Sequence, residues 1–376
     1  MNRRAAFVYD DALSRHELRN DHPMRPVRLQ YTYDLLQAYG AFDHHTSLLV
    51  PPRPATEEEL GWLHSPEYIS AVRSFSLGLS GYEPRRFNFS TQGDNPMYPG
   101  MYEAAALSTG ASVVAAELVA SKQVDVAFNI SGGLHHASSD HASGFCVFND
   151  PAVAIKYLLA QGLRVAYLDI DAHHGDGVQE AFFDDSRVLT ISIHESGQYL
   201  FPGTGFVSEV GVGAGLGYAV NLPLYPYTDD ETYLSAFHEV VPPLLKAFAP
   251  DVLVTQLGID TYHSDPLTHL QITTRGYVEA IKEMARLEIP WLALGGGGYD
   301  LSAVARAWTL AYGVMLDVEW PDRLPEGFEG QLRISQLRDT INPDIPAEVR
   351  REARRFAEES VAGIKERVFP LHSLGS

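Results

Sequence analysis

Short runs of almost uninterrupted apolar residues recur through the middle and the carboxy-terminal half of the chain. Because these runs are continuous rather than alternating between apolar and polar residues, they predict strands buried on both faces, as in a parallel sheet. Six such runs, all rich in Val, Ile and Leu, lie at residues 124–130, 164–170, 187–193, 218–224, 251–259 and 290–294.

Segments with helical periodicity separate these strands. They lie at residues 151–160, 230–248, 275–287 and 301–316. Asp150 followed by Pro151 predicts an N-cap with proline at the first helical position. The alternation of strand and helix predicts an α/β fold, in which residues 1–376 form a single domain of three α/β/α layers around a mainly parallel central sheet.

The amino-terminal part of the chain is less regular. A first strand is expected to end at residues 8–9, and residues 26–39 and 104–122 have helical patterns. The stretch 78–100 is rich in Gly, Pro and aromatic residues, which predicts a long surface loop of the kind that is often functional. An amphipathic helix at 347–367 is expected to pack on the domain.

Chemically distinctive side chains follow the predicted strands. In open parallel sheets, ligands bind beyond the carboxyl ends of the strands, so these side chains are expected to converge in one crevice. The residues that follow the strand ends are the pair His135 and His136, the cluster from Asp171 to Asp176, His194 with Glu195, Asp260, and the glycine run 295–298 with Tyr299.

The spacing within the second of these groups predicts a metal site. Asp169, Asp171 and His173 are separated by two positions, so their side chains point the same way if strand geometry persists. Asp260 is the best-placed third ligand, although taken alone it is equally explained by a helix cap or a buried salt bridge. Three protein ligands leave the open position that a catalytic zinc site requires. The same set is acceptable to Fe(II), Mn(II) or Co(II).

The paired histidines and the glycine run add acid–base and oxyanion chemistry. Histidines that transfer protons need carboxylate partners, and Asp169 and Asp176 are the natural ones for His135 and His136. The glycine run matches neither of the common phosphate-binding patterns. The hydroxyl of Tyr299 is therefore available to an oxyanion.

Composition and charge limit the classes of molecule that the protein is expected to bind. The chain has 376 residues, of which 45% are hydrophobic, and its formal net charge is −20. A protein with this charge and no basic stripe is expected to repel nucleic acid. We expect no membrane span and no secretory signal. The single cysteine, Cys146, suits a reducing cytoplasm, and the oligomeric state is left open.

Seven motifs in the same order along the chain carry a family resemblance. Together they resemble the histone deacetylase superfamily of the arginase-like fold, and within it the bacterial class I-like branch of acetoin utilization proteins and histone-deacetylase-like amidohydrolases. The motifs are HPMRP at 22–26, RFN at 86–88, GGLHHA at 132–137, SGFCVFND at 143–150, DIDAHHGDGV at 169–178, FPGTG at 201–205 and GGGGY at 295–299.

The resemblance implies a role for each site residue. Asp171, His173 and Asp260 would bind Zn²⁺, with Fe²⁺ as a substitute. His136 would act as general base and His135 as general acid or electrostatic partner. Tyr299 would polarise the acyl carbonyl.

It also implies how substrate and a second cation would be held. Gly144, Phe145 and Phe201 would wall a narrow tunnel, with Leu267 at its rim, and Asp94 would grip substrate backbone amides. Arg28 would lie near an internal acetate channel. A structural K⁺ or Na⁺ would bind at Asp169, Asp171, His173, Ser192 and Ile193.

Several functions share these features. The leading interpretation is hydrolysis of acetyl-lysine side chains in proteins. The alternative is deacetylation of a small acylated amine such as an acetylpolyamine, for which Glu195 is a candidate acidic gate. A non-catalytic acyl-lysine binder is disfavoured because the residues assigned to catalysis are all present. An arginase-type reaction would need more Asp ligands for a second metal.

Overall fold

The central feature of the fold is one sheet of eight strands. The computed structural model describes residues 3–15, 18–19 and 21–375. Every pairing between neighbouring strands is parallel. The strand order is β2-β1-β3-β8-β7-β4-β5-β6. The strands are β1 Ala5–Val8, β2 Ser47–Val50, β3 Val126–Asn129, β4 Val165–Asp169, β5 Val188–Glu195, β6 Ala219–Leu224, β7 Val252–Gln256 and β8 Trp291–Leu294.

Helices cover both faces of this sheet. Alternate strand residues enter two separate apolar cores: Phe7 and Trp291 lie in one, and Val8 and Leu292 in the other. The α-helices are α1 Val27–Ala38, α2 Glu57–Leu60, α3 Pro66–Ser76, α4 Met101–Ala120, α5 Asp150–Ala160, α6 Asp176–Phe182, α7 Asp230–Phe248, α8 Thr274–Arg286, α9 Leu301–Leu316, α10 Phe328–Leu332 and α11 Ala347–Arg367. The three-layer α/β/α architecture is thus confirmed, with a sheet that is parallel throughout.

The predicted start of α5 is wrong by one residue. Asn149, not Asp150, is the N-cap, and its side chain accepts a hydrogen bond from the backbone N–H of Ala152. Asp150 is the first helical residue, so Pro151 occupies the second helical position. The Asp150 carboxylate instead turns towards the loop that carries the paired histidines.

The stretch 78–100 is more ordered than the predicted surface loop. It contains a short 3₁₀ helix, Pro84–Phe87. Phe87 and Phe89 are buried in a third apolar cluster with Tyr68 and Phe75. The aromatic residues that made the stretch look irregular are therefore core residues of a small layer beside the site.

Helices α4 and α11 concern two further predictions, on membrane spans and on the packing of the carboxy-terminal helix. Among the described residues, only α4 is long and apolar enough to cross a membrane by length and composition, and more than half of it is buried inside the protein. It packs against α5 and β3. Helix α11 packs on β6 and α7, and Ser360 Oγ donates a hydrogen bond to the carbonyl of Pro223.

Candidate metal and catalytic site

The site lies at the carboxyl ends of the central strands. Strands β3, β8, β7, β4 and β5 are consecutive neighbours in the sheet. The register pairs Asp169 with Gln256, and Gln256 with Leu294. The loops that follow β4, β7 and β8 therefore start side by side, and the segments bearing Asp171, Asp260 and Tyr299 meet over the sheet edge.

Asp171, His173 and Asp260 form a buried cluster. One potential ligand atom from each of the three lies within 4.8 Å of the others. His173 Nδ1 is 3.0 Å from Asp171 Oδ1 and 3.0 Å from Asp260 Oδ2. The expected third ligand, Asp260, thus joins Asp171 and His173 from the loop that follows β4.

Backbone and amide donors occupy the other carboxylate oxygens. Asp171 Oδ2 accepts hydrogen bonds from Gln256 Nε2 (2.6 Å) and from the N–H of Gly297 (2.7 Å). Asp260 Oδ1 accepts from the N–H of Ala172 (2.7 Å). A Cβ at Gly297 would lie 1.9 Å from Asp260 Oδ2, so only glycine allows this approach. Each carboxylate therefore turns a single oxygen towards His173.

The electrostatics of the cluster fit a divalent cation. Burial, together with the charge of Asp171, raises the pKa of Asp260 to about 8. Burial alone would lower the pKa of His173, but its hydrogen bonds to Asp171 and Asp260 raise it well above its ordinary value. Two buried carboxylates facing one imidazole need a positive charge between them. Two oxygens and one nitrogen form a ligand set that suits zinc or another first-row divalent metal.

The paired histidines lie beside this cluster, each held by one carboxylate. His135 Nδ1 donates to Asp169 Oδ2 (2.7 Å), and His136 Nδ1 donates to Asp176 Oδ1 (2.7 Å). The two Nε2 atoms are 3.0 Å apart. Because both Nδ1 atoms carry a proton for their carboxylates, a single further proton can lie between the Nε2 atoms. The structure thus brings together both expected His–Asp pairs.

The two histidines have opposite proton affinities. Burial opposes protonation of His135, but the charges of Asp169 and Asp171 outweigh it and raise the pKa of His135 to about 9. Burial and the neighbouring charge of His135 lower the pKa of His136 to about 4. At neutral pH the pair therefore holds an imidazolium at His135 and a neutral imidazole at His136.

Side chains at the start of α5 hydrogen-bond to the loop that carries these histidines. Asn149 Nδ2 donates to the carbonyls of His135 (3.2 Å) and Ala137 (2.9 Å). The Asp150 carboxylate accepts from the N–H groups of Gly133 (3.1 Å) and Leu134 (2.8 Å). Sequence reasoning took Asp150 as a helix cap only and therefore missed this contact.

Tyr299 and two phenylalanines lie beside the cluster and its histidines. Burial, and then the charge of Asp260, raises the pKa of Tyr299 well above its ordinary value, so its phenol stays protonated. The Phe145 and Tyr299 rings pack edge to face with centroids 5.8 Å apart. The Phe201 ring lies 5.1 Å from that of His136. Two phenylalanines thus flank the approach to the site.

Gly144 is required between these aromatic walls. It adopts a left-handed backbone conformation with φ +48°, and a Cβ there would lie 2.3 Å from His136 Cδ2. The same atom would be 3.0 Å from the Phe201 ring. Only glycine fits between the rings of His136 and Phe201 in this backbone conformation.

The remaining expected site residues lie around this centre. Arg28 is buried, and its Nη1 donates to the carbonyl of Gly298 (3.0 Å). It also lines a cavity of about 100 Å³ together with Leu134 and Phe145. Leu267 is partly buried, on the loop after β7, and Asp94 is exposed.

Ser192 and Ile193 lie on β5 beside β4. Ser192 pairs in register with Asp169, so these two residues of the expected monovalent-cation site are neighbours in the sheet. The Ser192 hydroxyl also lies 2.8 Å from His194 Nδ1.

The chain is similar to known proteins in both sequence and structure. The histone deacetylase domain matches residues 22–315. Over 332 residues, the chain is 42% identical to the acetoin utilization protein AcuC of Bacillus subtilis (strain 168), covering 86% of this chain and 85% of that one. It is 40% identical over 324 residues to histone deacetylase 1 of Homo sapiens, covering 86% of this chain and 67% of that one.

Solved structures agree in fold. A crystal structure of a histone deacetylase homologue from Aquifex aeolicus superimposes with a TM-score of 0.86 at 30% identity, covering 95% of this chain and 100% of that one. A homologue complexed with SAHA gives a TM-score of 0.86 at 31% identity, covering 96% and 100%. With its domain match, its relatives and its fold in agreement, the chain belongs to the histone deacetylase family.

Proposed function

We propose that the protein hydrolyses the amide bond of acetylated lysine side chains in cytoplasmic proteins, releasing acetate and free lysine. The observation that carries this proposal is the convergence of two His–Asp pairs, a protonated tyrosine and an Asp–His–Asp cluster beside two phenylalanines. Each component answers one difficulty of amide hydrolysis.

The first difficulty is that an amide carbonyl is a poor electrophile. Zn²⁺ or Fe²⁺ held by Asp171, His173 and Asp260 would polarise the carbonyl and acidify a water molecule. The Tyr299 phenol, which stays protonated, donates a hydrogen bond to the carbonyl oxygen as negative charge develops there. We also propose a structural K⁺ or Na⁺ at Asp169–His173, Ser192 and Ile193.

The second difficulty is proton transfer. His136 Nε2 accepts a proton from the attacking water as the single proton that the two Nε2 atoms share passes to the leaving nitrogen, so the pair still holds one proton between these atoms. Asp176 stabilises the positive charge on His136. The leaving nitrogen must be protonated as the C–N bond breaks, because a free amide anion is too basic to leave. The contact between the two Nε2 atoms lets His135 share in holding and delivering that proton.

The passage itself selects for an acylated amine. Phe145 and Phe201 can desolvate a neutral alkyl stem at little cost, whereas a charged ammonium group loses hydration there. The product amine, once protonated, is therefore disfavoured in the passage. This asymmetry favours binding of substrate and release of product.

Features around the opening support a polypeptide substrate. Phe201, Tyr199 and Tyr227 are each exposed by more than two fifths, on the loops that follow β5 and β6. Tyr199 packs edge to face against Tyr225 at 5.3 Å. Exposed aromatic side chains on loops at the carboxyl ends of the strands are typical of protein-binding surfaces, and a small amine would leave them unused.

Glu195 does not form the acidic gate that the small-amine alternative needs. Its side chain is fully buried, and its oxygens accept hydrogen bonds from the backbone N–H (2.8 Å) and Nδ1 (2.9 Å) of His269. The carboxylate thus supports the loop after β7 instead of facing an incoming cation. This placement favours the protein substrate over an acetylpolyamine.

The proposal is tested by substrate comparison. Protein stripped of metal and reloaded with Zn²⁺ or Fe²⁺ is incubated with an acetyl-lysine peptide, acetylspermidine and arginine, with Tyr299→Phe as a matched inactive control. We expect peptide turnover that chelator abolishes and little turnover of the other two. Faster turnover of acetylspermidine would favour the alternative substrate. Binding of acetyl-lysine peptide without turnover by either metal form would overturn the catalytic assignment.

A further inference from the structure

The peptide bond that precedes Tyr299 is held on both of its polar atoms. The carbonyl of Gly298 accepts a hydrogen bond from Arg28 Nη1 at 3.0 Å. The N–H of Tyr299 donates to Asp265 Oδ2 at 2.8 Å. Gly298 has φ +137°, and a Cβ there would lie within 2.8 Å of the side chains of Val304 and Ile259. The glycine run needs such anchors, because its backbone is intrinsically free to rotate.

Asp265 also reaches the rim of the passage. Its second oxygen, Oδ1, accepts a hydrogen bond from the N–H of Leu267 at 2.9 Å. Its own N–H donates to the carbonyl of Tyr262 at 2.8 Å. Asp265 is buried, so both carboxylate contacts are shielded from water. One carboxylate therefore ties the tyrosine loop to the rim loop.

We infer that Asp265 is a positioning residue that fixes the Tyr299 hydroxyl over the reacting carbonyl; the inference rests on the role proposed for Tyr299. The Tyr299 side chain begins at the atom next to the bonded N–H. Rotation of that peptide plane therefore carries the phenol away from its working position. A displacement of about 1 Å at such a group can cost about 10²-fold in rate.

A carboxylate is the group that this position needs. Asp265 accepts two N–H groups from two different loops, one on each oxygen. An asparagine can accept only one of them and turns its NH₂ group against the other donor. The change from Asp to Asn keeps the size of the side chain and removes one of the two anchors.

The adjacent carboxylate, Asp300, provides a matched control. Its Oδ1 caps α9 by accepting from the N–H groups of Ser302 (3.0 Å) and Ala303 (3.2 Å), and its Oδ2 accepts from the hydroxyl of Ser264. It is next to Tyr299 in sequence. Asparagine is as good an N-cap as aspartate, so Asp300→Asn is expected to retain its cap.

The experiment is a double-mutant cycle between Asp265→Asn and Tyr299→Phe, measured on a trifluoroacetyl-lysine peptide so that residual rates remain measurable. We expect Asp265→Asn to lower kcat by about 10–100-fold. KM and metal content should stay near those of the wild type, and Asp300→Asn should change kcat by less than about threefold. In the Tyr299→Phe background, Asp265→Asn should cause little further loss, because both changes remove the same contribution.

Two results would overturn the inference. One is a wild-type kcat in Asp265→Asn. The other is an equal fractional loss with and without the Tyr299 hydroxyl, which would show general damage to the site. Full activity of Tyr299→Phe would instead refute the role of Tyr299 in the proposed function, and this inference with it. If Asp265→Asn does not fold, Asp265→Ser is subjected to the same cycle, because it keeps one acceptor in a smaller volume.

Discussion

Two histidine pairs follow strands β3 and β4 at the carboxyl ends of the same sheet, and the structure uses them differently. In the first pair, both His135 and His136 face the site, and each is bound to a carboxylate. In the second pair, only His173 does so. His174 turns away, with Nδ1 2.9 Å from Thr204 Oγ1 and Nε2 3.2 Å from Gln179 Oε1.

The difference lies in the backbone that presents each pair. In the segment after β4, His173 Nδ1 lies 3.0 Å from Asp171 Oδ1, whereas the ring of the next residue, His174, packs 4.9 Å from that of His194. The first pair follows Gly133, whose φ of +87° starts a turn instead of an extended segment. Hydrogen bonds with Asn149 and Asp150 hold that turn, which directs the side chains of both His135 and His136 towards the site. Adjacent histidines are therefore equivalent in sequence but not in function.

Loss of the inward-facing member of the second pair should have the largest effect. His173→Ala removes the only nitrogen from the Asp–His–Asp cluster and leaves two buried carboxylates without a partner. We expect loss of bound metal and a fall in kcat/KM on the order of 10³-fold or more. Metal analysis of the purified variant, alongside deacetylation assays, tests this. Retention of stoichiometric metal would contradict the assigned ligand set.

In the first pair, loss of His136 should reduce catalysis without reducing metal binding. His136→Ala removes the neutral imidazole that accepts the proton, and we expect about a 10²–10⁴-fold loss of kcat. Metal content should be unchanged, because His136 is not in the cluster. A normal rate at saturating substrate would refute the role of general base.

The pH profile should distinguish His135 from His136. The pKa of His135, about 9, is raised by the carboxylate of Asp169, so His135 keeps its charge until the pH rises past that value. Asp169→Asn removes the negative charge that stabilises the imidazolium and therefore lowers this pKa. We expect the alkaline limb of kcat/KM to move to lower pH, with Asp300→Asn leaving it in place. If the alkaline limb of the profile does not move in Asp169→Asn, that limb reports the titration of a group other than His135.

Loss of His174, the buried member that turns away from the cluster, should have the smallest effect. His174→Ala leaves Thr204 and Gln179 without one hydrogen-bond partner, which costs about 1–3 kcal/mol in the free energy of unfolding. Activity at a temperature well below the unfolding transition should change by less than about threefold. A loss as large as that of His173→Ala would show that the two members of the pair are functionally alike after all.

Hydrophobic patterning was sufficient for the sheet and for the long helices. The six predicted strands and the helices at Asp230–Phe248 and Leu301–Leu316 were recoverable because buried strands and amphipathic helices have clear periodicity. Strand β2 was missed because it is short and at the edge, with Leu48 and Leu49 exposed. Helix α6 was missed because it has only 7 residues and begins at the site residue Asp176, whose identity reflects chemistry and not periodicity.

The residues assigned to metal binding and catalysis were predictable from the sequence, but the residues that position them through hydrogen bonds were not. The spacing of Asp171 and His173 and the paired histidines stand out in the sequence. Gln256 and Asp265 do not, because one is buried at the end of a strand and the other sits in an irregular loop. Their importance comes from hydrogen bonds across more than thirty residues of sequence, which local patterns do not encode.

The hydrogen bonds to the far oxygens of Asp171 and Asp260 also limit which ions can compete for the cluster. With Gln256, Gly297 and Ala172 as fixed donors, neither carboxylate can swing round to chelate through both oxygens. Ca²⁺ seeks six to eight oxygen ligands and Mg²⁺ a nearly regular octahedron, so the protein offers either ion too few contacts. Coordination number, more than charge, would then decide which ion binds, and a four-coordinate metal would be favoured over Ca²⁺ and Mg²⁺.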